Sequence, residues 1–483
     1  MMRIGILMFG FLFLILFTCL TAATAWAGSP IVYVPPPKGT DDTANIQKAL
    51  DACVAYGKNC TVHLAAGTYL TRQLVAYNFH GTFKGMGKEL TVIQALPYLP
   101  VTIDFTQPCQ PNTSTCLWPT LMIFVDGNIT ISDLSVHMIA TDGTATAPWA
   151  GGATYIETGI RLMGQYSTTN ALIDRFEMEG RPDSTGSLGY NVTNGILYTG
   201  ELTASSANPL DLPCGAPGGF YFASGSYTVR NSSFKLMVDG VSQDGCVRSS
   251  HVEIGGSPAT GNSFENLLVG MDLESAENSD FEISYNVVSG IGNSMWVIPW
   301  IESVFLPSKP SRYVIHDNKF ITTGTSSFLG DLAGVVLSSD TPDDSWIDAV
   351  IWNNTIQLQQ ALSDGIDAFG TKGTIIFNNS IAGTGFDAVG LYGSTYSTVI
   401  GNNLSKFVPD PSQGIAQIYL DPGASHDLVV CGERSDNVLD QGTSNTVIGC
   451  QQPQASPKAA TTNATPALSV QKPALPNFKH SPY

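Results

Sequence analysis

The chain has 483 residues, 43% hydrophobic and 13% charged, with 48 glycines, 28 prolines and a formal charge of −18. Such a chain can bury a large core, and its composition is that of a β-rich secreted protein rather than a disordered one. With no basic stripe to offset the acid excess, nucleic acid is excluded as a partner, and a polyanionic glycan is repelled at long range unless calcium or a local basic patch intervenes.

Residues 1–27 carry one positive charge (Arg3), an apolar run over 4–20 and the small-x-small ending Ala25-Trp26-Ala27. This pattern predicts a secretory signal peptide, against the rival reading of a membrane anchor, because no basic stop-transfer flank follows. Its removal takes Arg3 with it and changes the charge from −18 to −19. No later run is long enough to span a bilayer. A secreted, periplasmic or cell-surface protein is expected, with no membrane contact after cleavage.

Of the nine cysteines, Cys19 falls in the leader, leaving an even number for an oxidising compartment. They fall as neighbours along the chain, and we expect Cys53 with Cys60, Cys109 with Cys116, Cys214 with Cys246 and Cys431 with Cys450, although spacing alone does not choose among the connectivities. No C-x-x-C knuckle favours zinc.

Residues 41–56 have a helical pattern, with Ile46, Leu50, Cys53 and Val54 on one face and Asp41 or Asp42 as N-cap. Strands follow over 60–64 and 90–95. One short unit is then stated repeatedly, most plainly in DGIDAFGTKGTIIFNNSI and GFDAVGLYGSTYSTVIGNNL: a glycine followed by alternating residues, turn residues, and a β-branched run ending in paired asparagines. Glycine strands begin at Gly159, Gly195, Gly240, Gly270, Gly290, Gly334, Gly365, Gly385 and Gly414. In the closest copies the period is roughly 20 to 25 residues, too short for a βαβ unit, and it fits a coil of short strands stacked into columns, of about eleven turns. Asn231, Asn286, Asn318, Asn354, Asn379 and Asn403 are expected to stack at one corner as a structural amide ladder. Insertions carrying aromatics interrupt the coil at 141–155, 201–227 and 293–312, and 451–483 form a Pro/Ala/Thr-rich tail expected to be disordered.

The segment DDTANIQKALDACVAYGKNCTVHLAAGTYLT, followed by GTFKGMGKELTVIQA, resembles the N-terminal opening of pectin-lyase-like right-handed parallel β-helices. The resemblance covers about 55 residues. It implies an all-β, single-stranded right-handed parallel β-helix over 28–450 with an N-terminal capping helix at 41–56. It does not imply one chemistry, since that superfamily includes hydrolases, lyases, epimerases and non-catalytic binding proteins.

Aligning the glycine strands puts glycine-plus-two and plus-four on one outward face. The first set reads Arg161, Leu197, Ser242, Asp272, Gly292, Val336, Asp367, Asp387 and Ala416. In the second, Asp244 and Glu274 become neighbours one turn apart. Asp244, Asp272 and Glu274 are the candidate catalytic carboxylates, because glycoside hydrolysis needs two acids in unlike environments. The bland alternative is that they keep an exposed sheet face soluble. Asp367 over Asp387 is a second stack, for which calcium is one use. Otherwise no cofactor is implied. Polygalacturonase-type β-helix hydrolases carry N-x-D, D-D-C, H-G and R-x-K motifs. Here Gln243-Asp244-Gly245-Cys246 is similar to the second with an aspartate replaced by glycine, His251 stands only seven residues after Asp244, and no R-x-K lies nearby. Trp296, Trp300 and Arg248 are candidate substrate-binding residues: tryptophan faces stack on sugar rings, while arginine equally pairs with acids. The expectation is a monomeric polysaccharide hydrolase. A polysaccharide lyase and a non-catalytic glycan-binding or surface-adhesion protein are the alternatives.

Overall fold

The computed structural model describes residues 29–96, 120–138, 158–165, 167–180, 194–200, 214, 221–243, 246–274, 276–298, 309–323, 332–339, 346–359, 363–410 and 416–451. The expected leader, tail, Cys109, Cys116, Asp244 and Trp300 lie outside them. Among the described residues no helix is long and apolar enough to cross a membrane.

Among the described residues strand pairing is parallel throughout and, apart from the short pair Val247–Arg248 with Ala276–Glu277, falls into three columns. The first runs from Ile31–Val34 through Lys58–Leu64, Ser226–Arg230, His251–Ile254, Ser311–His316 and Ile347–Trp352 to Thr446–Ile448. A second column contains Gly67–Thr71, Lys319–Thr322 and Thr355–Leu358. The third holds Thr158–Gly164, Asn194–Gly200, Asp239–Gln243 and Leu332–Ser338. Each turn of chain visits the columns in order, so that residues tens of positions apart become ladder neighbours. With the capping helix and the corner described below, this is a parallel β-helix fold.

The helix Thr43–Tyr56 closes the N-terminal end, burying Ile46, Ala49, Leu50 and Cys53. Asp42 is its N-cap residue, but its side chain makes no capping bond; its Oδ1 accepts from Lys38 N at 3.3 Å instead. The disulfides Cys53–Cys60, Cys214–Cys246 and Cys431–Cys450 form as the spacing suggested, with Cα separations of 5.3, 5.4 and 5.3 Å.

Inside the coil, like side chains stack on like. Phe281 lies on Tyr313 at 4.5 Å, Phe234 on Phe264 at 5.1 Å and Tyr198 on Tyr227 at 5.3 Å. Contacts of this kind add to the area buried, because offset aromatic faces attract.

The corner between the first and second columns explains the paired asparagines. A residue in the left-handed region turns the chain at Tyr285, Asp317, Asn353, Asn378 and Gly401, and the next residue is a buried asparagine. Asn286, Asn318, Asn354, Asn379 and Asn402 then form a ladder in which each Oδ1 accepts from both the backbone N–H and the Nδ2 of the asparagine one rung down. Asn262 begins it. Asn231 and Asn403 do not belong: Asn231 is itself a left-handed turn residue (φ 51°) bonded to Asp174, and Asn403 is exposed at the start of Asn403–Pro409.

The recurrent glycines have a different cause. A Cβ on Gly195 would lie 2.5 Å from Gly240 O, one on Gly240 2.9 Å from Gly270 O, and one on Gly334 2.7 Å from Gly365 O. Where the coil enters the third column, each rung's carbonyl occupies the space a side chain would need.

Candidate active site

The outward face of the third column follows the expected order only in part. Register places Arg161, Leu197, Ser242 and Asp272 side by side, as the glycine alignment required. Beyond Asp272 the positions are Trp296, Val336, Asp367, Gly390 and Tyr419. Gly292, Asp387 and Ala416 are therefore displaced from the column. The cause is that the last units are spliced differently: Gly290 still pairs in the second column with Thr322, and Gly385 ends the second-column strand Ser380–Gly385. Trp296 consequently lies on a strand, Val287–Ile298, and not in a loop.

Asp272 and Glu274 sit two apart on Ser263–Glu274 and are 4% and 1% exposed, while the alternating Met271 and Leu273 enter the core. Gln243 pairs with Leu273, and Asp244 follows it beyond the described residues. Across from Asp272, Ser242 Oγ accepts from Asn194 Nδ2 at 2.8 Å, and the same amide reaches Asp239 Oδ2 at 3.3 Å. Arg248 stands at the next corner. Its guanidinium donates twice to Glu277 Oε2, at 3.0 and 2.9 Å, and its Cζ lies 3.6 Å from the centre of the Phe222 ring. Nearly half of its side chain remains exposed, at 47%. It is thus held by an acid and an aromatic face.

A second acidic group forms farther along. Asp364, Asp367 and Asp387 are all buried, and one oxygen from each lies within 4.8 Å of the others. Asp387 arrives from the turn before Val389–Tyr392 and donates its backbone N–H to Asp364 Oδ1 at 3.0 Å. Tyr392 O–H donates to Asp387 Oδ2 at 2.8 Å, and its ring stacks on Phe369 at 4.6 Å with 13° between planes. Gly390 permits this: a Cβ there would meet Tyr392 Cε2 at 2.3 Å and Asp367 Oδ1 at 2.8 Å. Burial first, then the neighbouring charges of Asp387, Asp367 and Asp364, drives the Tyr392 phenol far above its ordinary value, so it keeps its proton and serves as a hydrogen-bond donor to Asp387. The donor set is all oxygen. With calcium–oxygen distances of about 2.3–2.6 Å, three such atoms would fit around one ion. His137, Glu177 and Glu179 also approach one another, but Glu177 already has Lys88 Nζ at 3.7 Å and all three are only half-buried.

Asp239, Asp364 and Tyr392 were not among the residues the sequence singled out. Asp239 and Asp364 each stand immediately before the glycine of a glycine strand, in Asp239-Gly240 and Asp364-Gly365, and that shared position was the available signal.

No protein-family model and no curated protein matches this chain. Among solved structures, it is similar to the periplasmic alginate epimerase AlgG (14% identity, 84% of this chain and 88% of that one, TM-score 0.48). It is also similar to the A-module of mannuronan C-5 epimerase AlgE6 of Azotobacter vinelandii (13%, 86% and 96%, TM-score 0.42) and to a family 28 exopolygalacturonase of Yersinia enterocolitica (12%, 87% and 79%, TM-score 0.40).

Proposed function

We propose that this is an extracytoplasmic polysaccharide hydrolase whose substrate lies along the outer face of the third column, with Asp272 and Glu274 as its acid/base pair. The observation that carries the reading is the placement of two buried carboxyl side chains at alternate positions of one strand. Alternate positions on a strand put Cα atoms about 6.6 Å apart. Both side chains leave the same face of the strand, so the two carboxyl groups can reach one glycosidic bond, the arrangement that acid/base hydrolysis needs. Glu274, the deeper residue, is assigned to protonate the leaving oxygen, and Asp272 to take a proton from the attacking water.

The trio of Asp364, Asp367 and Asp387 is too close for a water to attack between its members. It suits a shared proton or a calcium ion, and we assign it no step in bond cleavage. Elimination is the less favoured chemistry, because Arg248, the candidate substrate-binding cation, is engaged by Glu277.

The test is product analysis over a panel of neutral and acidic glycans. New reducing ends, without the ultraviolet absorbance of an unsaturated sugar, are expected. Asp272→Asn and Glu274→Gln should each lower turnover at least ~100-fold, the scale of a lost general acid or base. Retained turnover in both variants would refute the assignment, and unsaturated products would replace hydrolysis by elimination.

A further inference from the structure

The outer face of the first column is a different surface from the one carrying the carboxylates. Its N-terminal half forms a trough of about 790 Å³. Register sets Thr61, Thr82, Thr130, Leu172, Thr228 and Glu253 in one line along its floor. With rungs spaced about 4.8 Å apart, this is a row of evenly placed hydroxyls interrupted by one aliphatic side chain. A second line flanks it, in which Asn170 Nδ2 donates to Asn128 Oδ1 at 2.7 Å and Asn128 Nδ2 stands 3.1 Å from His80 Nδ1. The charged side chains of the lining nearly balance, with Lys58 and Arg230 against Glu253.

The same face continues toward the C-terminus through Glu282, Val314, Val350 and Ile375. Beside them His316, Trp352 and Phe377 form an outward aromatic ladder, with ring centres 4.7 and 5.9 Å apart and planes within 10° and 8°. All three rings are half-buried.

We propose that this face is a second binding site, for a neutral polysaccharide chain running along the first column from the threonine trough to the aromatic ladder. Hydroxyl and amide side chains match the hydroxyl-bearing edges of sugar rings, and methyl and aromatic faces match their C–H faces. An extended peptide has no strand edge to join between Lys58–Leu64 and Leu428–Val430, because there the ladders bond each strand of the column to rungs on both sides. A strongly anionic polymer meets a chain of charge −18 whose trough supplies only two cations against one carboxylate. The inference rests on the reading of the protein as glycan-acting but uses none of the residues assigned to cleavage.

The experiment is affinity electrophoresis of the full chain in native gels containing soluble β-glucan, galactomannan or arabinoxylan, with alginate as the anionic comparison. The wild type is expected to be retarded by at least one neutral polymer and not by alginate. Thr130→Trp, which fills the trough from a solvent-facing position, should abolish the retardation. Trp352→Ala should weaken it by roughly fivefold, the worth of one aromatic contact. Asp272→Asn and Glu274→Gln should leave it unchanged. Should Thr130→Trp not fold, the double variant Thr82→Ala, Thr228→Ala removes the hydroxyls instead. No retardation by any neutral polymer, retardation by alginate alone, or wild-type retardation in the folded trough and Trp352 variants would overturn the proposal. Binding that persists while the Asp272 and Glu274 variants keep wild-type turnover would overturn the catalytic assignment and leave this site standing.

Discussion

Replacing Asn318 by alanine should be among the most destabilising single changes in the coil. The side chain is 2% exposed and sits mid-ladder. Its Nδ2 donates to Ile283 O and His316 O, both at 2.9 Å, and to Asn354 Oδ1 at 3.0 Å; its Oδ1 accepts from Asn286 N at 2.9 Å and Asn286 Nδ2 at 3.0 Å. Alanine leaves the buried Asn286 N–H without this acceptor and removes a partner from the amides above and below. Each buried polar group so deprived costs about 1–3 kcal/mol, and allowing for relaxation the sum is about 3–5 kcal/mol. Asn403→Ala is the control, since that exposed side chain only accepts from Ser405 N and Oγ; it should cost under ~1 kcal/mol. Urea unfolding followed by far-ultraviolet circular dichroism, or unfolding rates if refolding is incomplete, would measure both. A loss below ~1 kcal/mol for Asn318→Ala, or equal losses for the two variants, would refute the view that the ladder holds the corner.

Gly390→Ala should displace Tyr392 from Asp387, with a loss of about 1–3 kcal/mol as an overpacked site; a melting temperature equal to wild type would contradict the contacts around Gly390. Tyr392→Phe removes a single hydrogen bond and should cost about 0.5–1.5 kcal/mol in urea unfolding, less than the glycine change. If calcium occupies the trio, removal by chelator should lower the melting temperature of the wild type but not of Asp367→Asn; equal responses would place the ion elsewhere. Burial, opposed by the Ser397 N–H and helped by the charges of Asp440 and Asp421, raises the Asp427 carboxyl from 3.8 to about 7. A raised folded value means that the stability it contributes is complete below about pH 4 and is lost as pH rises through 7. Asp427→Asn should therefore flatten the dependence of unfolding free energy on pH between these limits, and an unchanged slope would reject the assignment.

Much of this architecture was legible because a coil writes its geometry as a period. The glycine strands at Gly159, Gly195, Gly240, Gly270, Gly334 and Gly365, the capping helix and three neighbouring cysteine pairs could be read directly, since each follows from local spacing. The ends of the amide ladder could not. Asn402 and Asn403 are adjacent and chemically alike, and only the position of the left-handed residue, Gly401, decides which turns inward. The acidic trio was half visible. Asp367 and Asp387 were paired on the assumption that every glycine opens a third-column strand, whereas Gly385 closes a second-column one. The two aspartates still meet, but through a turn, with Asp364 and Tyr392 completing a group that no alignment of strands contains. Trp296 was read as a loop residue for the same reason: its insertion begins only after Ile298.

The two ends of the coil are closed by different means. At the first, a helix and the Cys53–Cys60 bridge cover the core. At the other, Thr446–Ile448 has a ladder partner on one side only among the described residues, Ile448 is 51% exposed, and the Cys431–Cys450 bridge clips this rung to Leu428–Val430. A zipper with one soldered end and one hook-and-eye fastening opens from the fastening. Under reducing conditions unravelling should start at that terminal rung and travel inward, reaching the trio of aspartates long before it reaches the threonine trough.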